Sequence, residues 1–370
     1  MLPARSAPHL PLQEVTLAEL LQQAGYLTAL VGKWHLGDAA HAPESQGFDI
    51  NIGGTHWGAP QTFFFPYRGN KRFDEFRYVP HLEFGQPGEY LTDRLTDEGI
   101  RVIDHAAAQK QPFFLFLSHH APHTPIEAKE VDVSYFAAQR KPRYKHQNPA
   151  YAAMIRSLDT SVGRIVSRLN ELDLTNDTIL IFTSDNGGYL GHDAAQNLPI
   201  TSNAPLRSGK GTLYEGGLRV PFIIRWPKSI DAVENCDQPI VLTDLFPTLA
   251  AAAGIDVSKN QPCDGFNRLP LLKDPLSPQA RQTLYFHYPH YYHAPPSTPA
   301  SALRSGPWKL IEYYETRRVE LYNLESDPGE QDDVAARLPE QVSSLQLHLR
   351  QWLTSVNAQL PTANPNYRSE

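Results

Sequence analysis

The chain has 370 residues, 41% of them hydrophobic, and its 33 Lys and Arg stand against 40 Asp and Glu for a formal charge of −7. That length and apolar content can bury a large core, with one big domain and a smaller one as the natural division. A modest acidic balance without a basic stripe argues against nucleic acid as a partner, and no apolar run is long enough for a helical membrane span.

The first residues, MLPARSAPHLPLQEV, lack the charged-then-apolar layout of a signal peptide. In TLAELLQQAGY, Thr16 and Glu19 form a capping box for a short helix that Gly25 can close, and TALVG follows as a buried strand. A longer helix is predicted over YLTDRLTDEGIRVIDHAAAQ, stopped before Pro112, and PFFLFLSHH is the next buried strand. AAMIRSLDTSVGRIVSRLNEL has helical spacing, TNDTILIFTSDNGG is a third strand running into a glycine turn, VPFIIRW is a fourth, and TDLFPTLAAAAG returns to helix with Gly254 at its end. This alternation predicts an α/β layer fold with a mainly parallel or mixed sheet, whose functional groups lie beyond the carboxyl ends of the strands. From about residue 275 the texture changes to aromatic and β-branched runs broken by Ser-Gly-Pro and Asp-Pro-Gly, then a terminal helix over LPEQVSSLQLHLRQWLTSV. The expected division is therefore 1–274 and 275–370.

Several stretches carry chemistry. Asp185 and Asn186 end an apolar strand as two oxygen donors suited to a hard cation, although Asp-Asn-Gly-Gly is also an ordinary turn. Lys33 and His35 follow the TALVG strand in VGKWHLG. His119, His120 and His123 follow another strand in SHHAPHTP, and Lys210 stands between two glycines in RSGKGT, where it can approach an anion closely. His56 and Trp57 in GGTHWGAP, and His287, His290 and Tyr291 in YFHYPHYYH, combine aromatic and imidazole groups that suit a sugar ring bearing an anion; such clusters also serve packing. Cys236 and Cys263 lie in polar surroundings, and the sequence leaves open whether they pair.

The order and spacing of GKWHLG, HHAPHTP, SDNGG and LRSGKGTLYEGGLRVPFIIRWP, continued by TDLFPTLAAAAGI and ELYNLESDPGEQDD, resemble the sulfatase family of the alkaline phosphatase superfamily, with arylsulfatase-A-like enzymes the nearest pattern. The resemblance implies an α/β fold with an alkaline-phosphatase-like mixed sheet between helices and a smaller C-terminal α+β subdomain. It implies hydrolysis of sulfate esters on sulfated saccharides or aryl sulfates, with a calcium ion, magnesium fitting less well, and a formylglycine nucleophile made from cysteine or serine. Lys33 and His35 would contact nucleophile and sulfate, and His123 the sulfate and the leaving oxygen. Lys210 would hold sulfate as a second lysine, and Asp185 and Asn186 would be half of the calcium shell. The family also has a strand ending in paired aspartates and a C/S-x-P-x-R segment for the nucleophile. Neither occurs upstream of TLAELLQQAGY here: Ser6-Ala7-Pro8-His9-Leu10 lacks the arginine, and neither cysteine fits. The expectation is thus a sulfatase pattern without its N-terminal segment and nucleophile, with apolar faces left uncovered and stability lowered. Two other readings stay open: a non-catalytic binder of sulfated glycan, and a phosphodiesterase or phosphatase of the superfamily. Against the latter, Asn186 stands where two-zinc members carry histidine. Family members are commonly periplasmic or extracellular; oligomeric state and the glycan are not readable.

Overall fold

The computed structural model describes residues 1–232, 235–257, 263–275, 277 and 283–367. Helix α1 (Leu17–Gln23) opens on the predicted capping box: the Thr16 hydroxyl accepts from the Glu19 amide at 3.1 Å and the Glu19 carboxylate accepts from the Thr16 amide at 2.7 Å. Gly25, at φ 88°, then releases the chain into β1 (Leu27–Gly32), a strand buried along its whole length. Strands β2 (Ile50–Ile52) and β3 (Phe113–Ser118) pair with β1 in parallel, in the order β2-β1-β3. Helix α2 (Leu91–Gln109) connects back to β3 and turns Leu91, Leu95, Val102 and Ala106 into the core, where they join Ala29 and Val31 of β1. Each large apolar side chain buried there contributes about 1.5–3 kcal/mol.

Helix α3 (Glu130–Gln139) precedes α4 (Pro149–Glu171), which starts where the Asn148 side chain accepts from the Tyr151 amide at 3.0 Å. Strand β4 (Leu180–Thr183) is followed by a small hairpin, β5 (His192–Asp193) with β6 (Leu198–Pro199), then by the short helix α5 (Glu215–Leu218) and by β7 (Phe222–Arg225). β7 pairs antiparallel with β4 as a sheet of its own, so parallel and antiparallel pairings are both present in separate sheets. Leu180 of β4 and Phe113, Leu115 and Leu117 of β3 share one apolar cluster around Ile103, Ile165 and Leu169, which sets the two sheets side by side. Helices α6 (Leu245–Ala252) and α7 (Leu269–Lys273) complete this part.

Residues 283–355 hold a four-stranded antiparallel sheet and a helix. Its strands are β8 (Thr283–Tyr288), β11 (Ala300–Ser305), β12 (Trp308–Tyr313) and β13 (Val319–Asn323), ordered β13-β12-β11-β8. Between β8 and β11 stands a hairpin of two short strands, β9 (Tyr292–His293) and β10 (Pro296–Ser297). Helix α8 (Pro339–Ser355) lays Leu345 and Leu349 on Leu303, Leu310 and Leu321, and Trp352 stacks on Tyr285 at 4.8 Å. Among the described residues no helix is long and apolar enough to cross a membrane.

Candidate active site

The site begins at the last rung of β1. A Cβ on Gly32, whose φ is 116°, would lie 2.0 Å from the Ser118 carbonyl oxygen, so only glycine lets β1 run flush beside β3 to its end. The Lys33 amide then donates to that carbonyl at 2.7 Å, which fixes where the lysine leaves the sheet. Trp34 turns inward and its Nε1 donates to the His41 carbonyl at 2.9 Å, sending Lys33 and His35 to the opposite side. His35 holds a left-handed φ of 60°, donates its amide to Thr55 O at 2.9 Å, and packs its ring on Gly58, where a Cβ would be 2.5 Å from Cε1.

Two further strands deliver the rest. Beyond β3, His119 Nε2 is 2.9 Å from the Ser161 hydroxyl, His120 is buried with no partner for its Nδ1 among the described residues, and His123 Nδ1 is 3.0 Å from the Thr124 carbonyl. Beyond β4, Gly187 lies so close to Gly216 that a Cβ would meet its carbonyl oxygen at 1.8 Å, and the Gly187 amide donates to Gly217 O at 3.0 Å. This contact draws the loop carrying Lys210 against the Asp185–Asn186 turn, and the Lys210 amide donates to Gly188 O at 3.1 Å.

The charges at these strand ends act on one another. Lys33 Nζ is 3.9 Å from Asp185 Oδ2. Burial lowers the Lys33 pKa, Asp185 opposes that shift, and the Lys210 charge adds to it. His35 is lowered by burial and then by Lys33, Lys210 and Arg77. His123 is lowered by burial, against its bond to Thr124, with Lys210 and Lys33 contributing. Burial, followed by the charge of Lys33, pushes His120 down to about 3; burial alone takes His119 to about 4. Lys33, Lys210 and Arg77 thus make one electropositive neighbourhood around His35, His120 and His123, with Asp185 beside Lys33 and Glu75 beside Arg77. The Thr124 carbonyl takes the Nδ1 proton of His123, which leaves Nε2 as the nitrogen available to a ligand.

Asp185 and Asn186 have the right chemistry for a hard cation. The Asn186 amide nitrogen donates to Gly187 O at 3.0 Å, leaving the side-chain oxygen as its uncommitted atom, and the Asp185 side chain is 68% exposed. Calcium takes about six to eight oxygens. Among the described residues no group of three or more His, Cys, Asp or Glu could hold a metal, so these two donors make a partial shell.

The remaining predicted residues divide. His56 and Trp57, with rings 4.6 Å apart, lie in the turn that packs on His35 and so border the cluster. His290 Nε2 is 3.3 Å from Ser6 Oγ, and the Tyr291 hydroxyl donates to Glu315 at 2.8 Å. His287 Nδ1 is 2.6 Å from the Ser301 hydroxyl on the neighbouring strand and its Nε2 is 2.9 Å from the Gln359 carbonyl beyond α8, so both ring nitrogens have partners within the C-terminal part. Cys236 and Cys263 are exposed and free. Sequence reasoning missed Arg77, which lies over the Phe73 ring at 3.4 Å and pairs with Glu75 at 2.8 Å. It also gave His120 no role. Arg77 sits in an irregular loop with no motif to mark it.

Two family models match the chain: one described as Sulfatase over residues 2–255, and one described as N-sulphoglucosamine sulphohydrolase, C-terminal, over residues 209–359. The chain is 29% identical over 397 residues to a protein named "Uncharacterized sulfatase YdeN" from Escherichia coli (strain K12), covering 96% of this chain and 69% of that protein. It is 30% identical over 400 residues to a "Sulfatase" of Formosa agariphila, covering 93% and 70%. Among solved structures it resembles Ps i-CgsB in complex with k-i-k-neocarrahexaose, at TM-score 0.79 and 30% identity, over 95% of this chain and 77% of that one.

Proposed function

Because the chain belongs to the sulfatase family, we propose that its electropositive cluster binds the sulfate group of a sulfated glycan and serves hydrolysis of that ester. The observation that carries this reading is the convergence of Lys33 and His35 beyond β1, His123 beyond β3 and Lys210 on its glycine loop, beside Asp185 beyond β4. Two ammonium groups offer donors to separate oxygens of a tetrahedral anion, and charge-assisted hydrogen bonds of this kind are about twice as strong as neutral ones. Burial first, and then the cationic neighbours, lower Lys33 and His123; an entering anion opposes the latter contribution, so His123 gains proton affinity as the ester binds. Its Nε2 is then the natural donor to the oxygen that leaves. The carrahexaose bound by Ps i-CgsB supports a sulfated polysaccharide fragment as the substrate class.

Calcium and a formylglycine hydrate, implied by the resemblance, would supply charge on the sulfate oxygens and the attacking hydroxyl, with Asp185 and Asn186 facing the ion.

Calorimetric titration of the full chain with sodium sulfate tests the site. Lys210→Ala, which deletes one charge-assisted hydrogen bond, should weaken binding about 10- to 100-fold. Equal affinity in the variant and the parent chain would refute the assignment. Release of nitrophenol from nitrophenyl sulfate that is lost in Lys210→Ala would tie the same cluster to hydrolysis, whereas release unchanged by that substitution would count against its role.

A further inference from the structure

Next to the lysine loop lies a cavity of about 440 Å³ with five tyrosines in its walls. Its lining includes Tyr214, Tyr288, Tyr291, Tyr292, Tyr313 and Arg318, and its rim reaches Ser208 and Gly211, the latter the residue after Lys210. The volume falls in the range of small-molecule sites, about 300–1,000 Å³.

Two contacts tie the cavity to the sulfate cluster. The Tyr292 ring lies on Gly211, where a Cβ would be 2.1 Å from the ring, and the Ser297 hydroxyl donates to the Gly211 carbonyl at 2.7 Å. The β9–β10 hairpin therefore forms one wall and rests directly on the backbone that carries Lys210.

The lining also shows what the cavity takes. Its arginine is already committed: Arg318 pairs with Glu320 at 3.0 Å and covers the Tyr313 ring at 4.5 Å. The Tyr214 and Tyr291 hydroxyls donate to Glu320 and Glu315, and that of Tyr313 donates to Tyr214. Among the described residues, the hydroxyls of Tyr288 and Tyr292 have no partner. A cavity with aromatic faces, two uncommitted hydroxyls and no uncommitted cation suits a neutral ring with C–H groups on its faces and hydroxyls on its edge. It does not suit a second anion.

We propose that this cavity is a subsite for an unsulfated pyranose of the same glycan, the sugar next to the one whose sulfate meets Lys33 and Lys210. The proposal rests on the reading of that cluster as a sulfate site. Stacking on Tyr292 and hydrogen bonds to the Tyr288 and Tyr292 hydroxyls would hold the sugar, and recognition would thus reside in the C-terminal sheet and its hairpin.

The test uses the full chain and three probes in calorimetric titrations: sodium sulfate, a carrageenan hexaose, and the same hexaose chemically desulfated. Tyr292→Ala should weaken hexaose binding about 10-fold, the value of one lost aromatic contact, and more than it weakens sulfate binding. The Tyr288→Phe/Tyr292→Phe variant keeps both rings and should weaken the hexaose about threefold or more, so it decides the matter if Tyr292→Ala misfolds. Hexaose affinity unchanged in a folded Tyr292→Ala chain, or in the double variant where the alanine chain misfolds, would overturn the subsite. Failure of the parent chain to bind sulfate would instead refute the sulfate reading, while desulfated hexaose binding that depends on Tyr292 would still uphold the cavity.

Discussion

His120 is buried and its neighbour His119 half-buried, and among the described residues neither has a partner for its Nδ1. In the unfolded chain each takes a proton near 6.5, whereas folded His119 takes it near 4 and folded His120 near 3. Between those values the unfolded chain binds more protons, so stability rises with pH across the window and is complete above about 6.5. For His119 the loss on acidification is on the order of 3 kcal/mol. Thermal melts at pH 7.5 and 4.5 should show a large fall in Tm that shrinks in His120→Leu, which removes one imidazole that must charge. An equal fall in both proteins would show that other groups control acid unfolding. The same scale explains which site residues the sequence could reveal. Lys33, His35, His123 and Lys210 sit in short contiguous motifs, whereas the role of His287 depends on Ser301, a cross-strand partner fourteen residues away that no local pattern announces.

At the scale of elements, α5 is held to the C-terminal sheet by three buried charges. Lys309 Nζ on β12 is 2.9 Å from Glu215 and 2.8 Å from Glu330, whose other oxygen accepts from the Glu215 amide at 2.7 Å. Arg207, in the lysine loop, donates to the Tyr322 hydroxyl at 2.9 Å and the Glu330 carbonyl at 2.7 Å, so the loop is fastened from both ends. Lys309→Met would leave two buried carboxylates facing each other and should cost about 3–5 kcal/mol in urea unfolding. A loss below 1 kcal/mol would mean that water reaches the pair. Elements with strong local signals were legible: the Thr16 capping box, the apolar β1 and β3, and the periodic faces of α2 and α4. Helix α3 was not, because its EVDVSYFAAQ segment exposes Val131 and Tyr135 and buries Asp132, inverting the pattern that marks a helix. Strand β2 has three residues and is defined by its pairing with β1, a contact between distant stretches.

Across the whole molecule, the parallel sheet ends at β3 and the β4–β7 pair lies beside it as a separate sheet. Phe116 on β3 is 47% exposed, and Ile223 on β7 is 63% exposed, in strands that read as core in the sequence. Exposed apolar strands of this kind are templates for further pairing. The 370-residue polypeptide should therefore bind an apolar dye such as ANS under native conditions, with Phe116→Ser lowering the signal. A single cooperative melt with no dye binding would contradict this.

The anchoring of Lys33 has a consequence for how such a protein diversifies. Its ammonium is placed by the final rung of a ladder and by a glycine contact, both set by backbone alone. The β9–β10 hairpin touches the same machinery at Gly211 and, through His293 on Tyr189, just beyond the Asp185–Asn186 turn. Substitutions in a turn of a few residues can then change which sugar is admitted without re-registering a strand. In descent, the grip on the anion and the choice of its carrier become separately heritable traits.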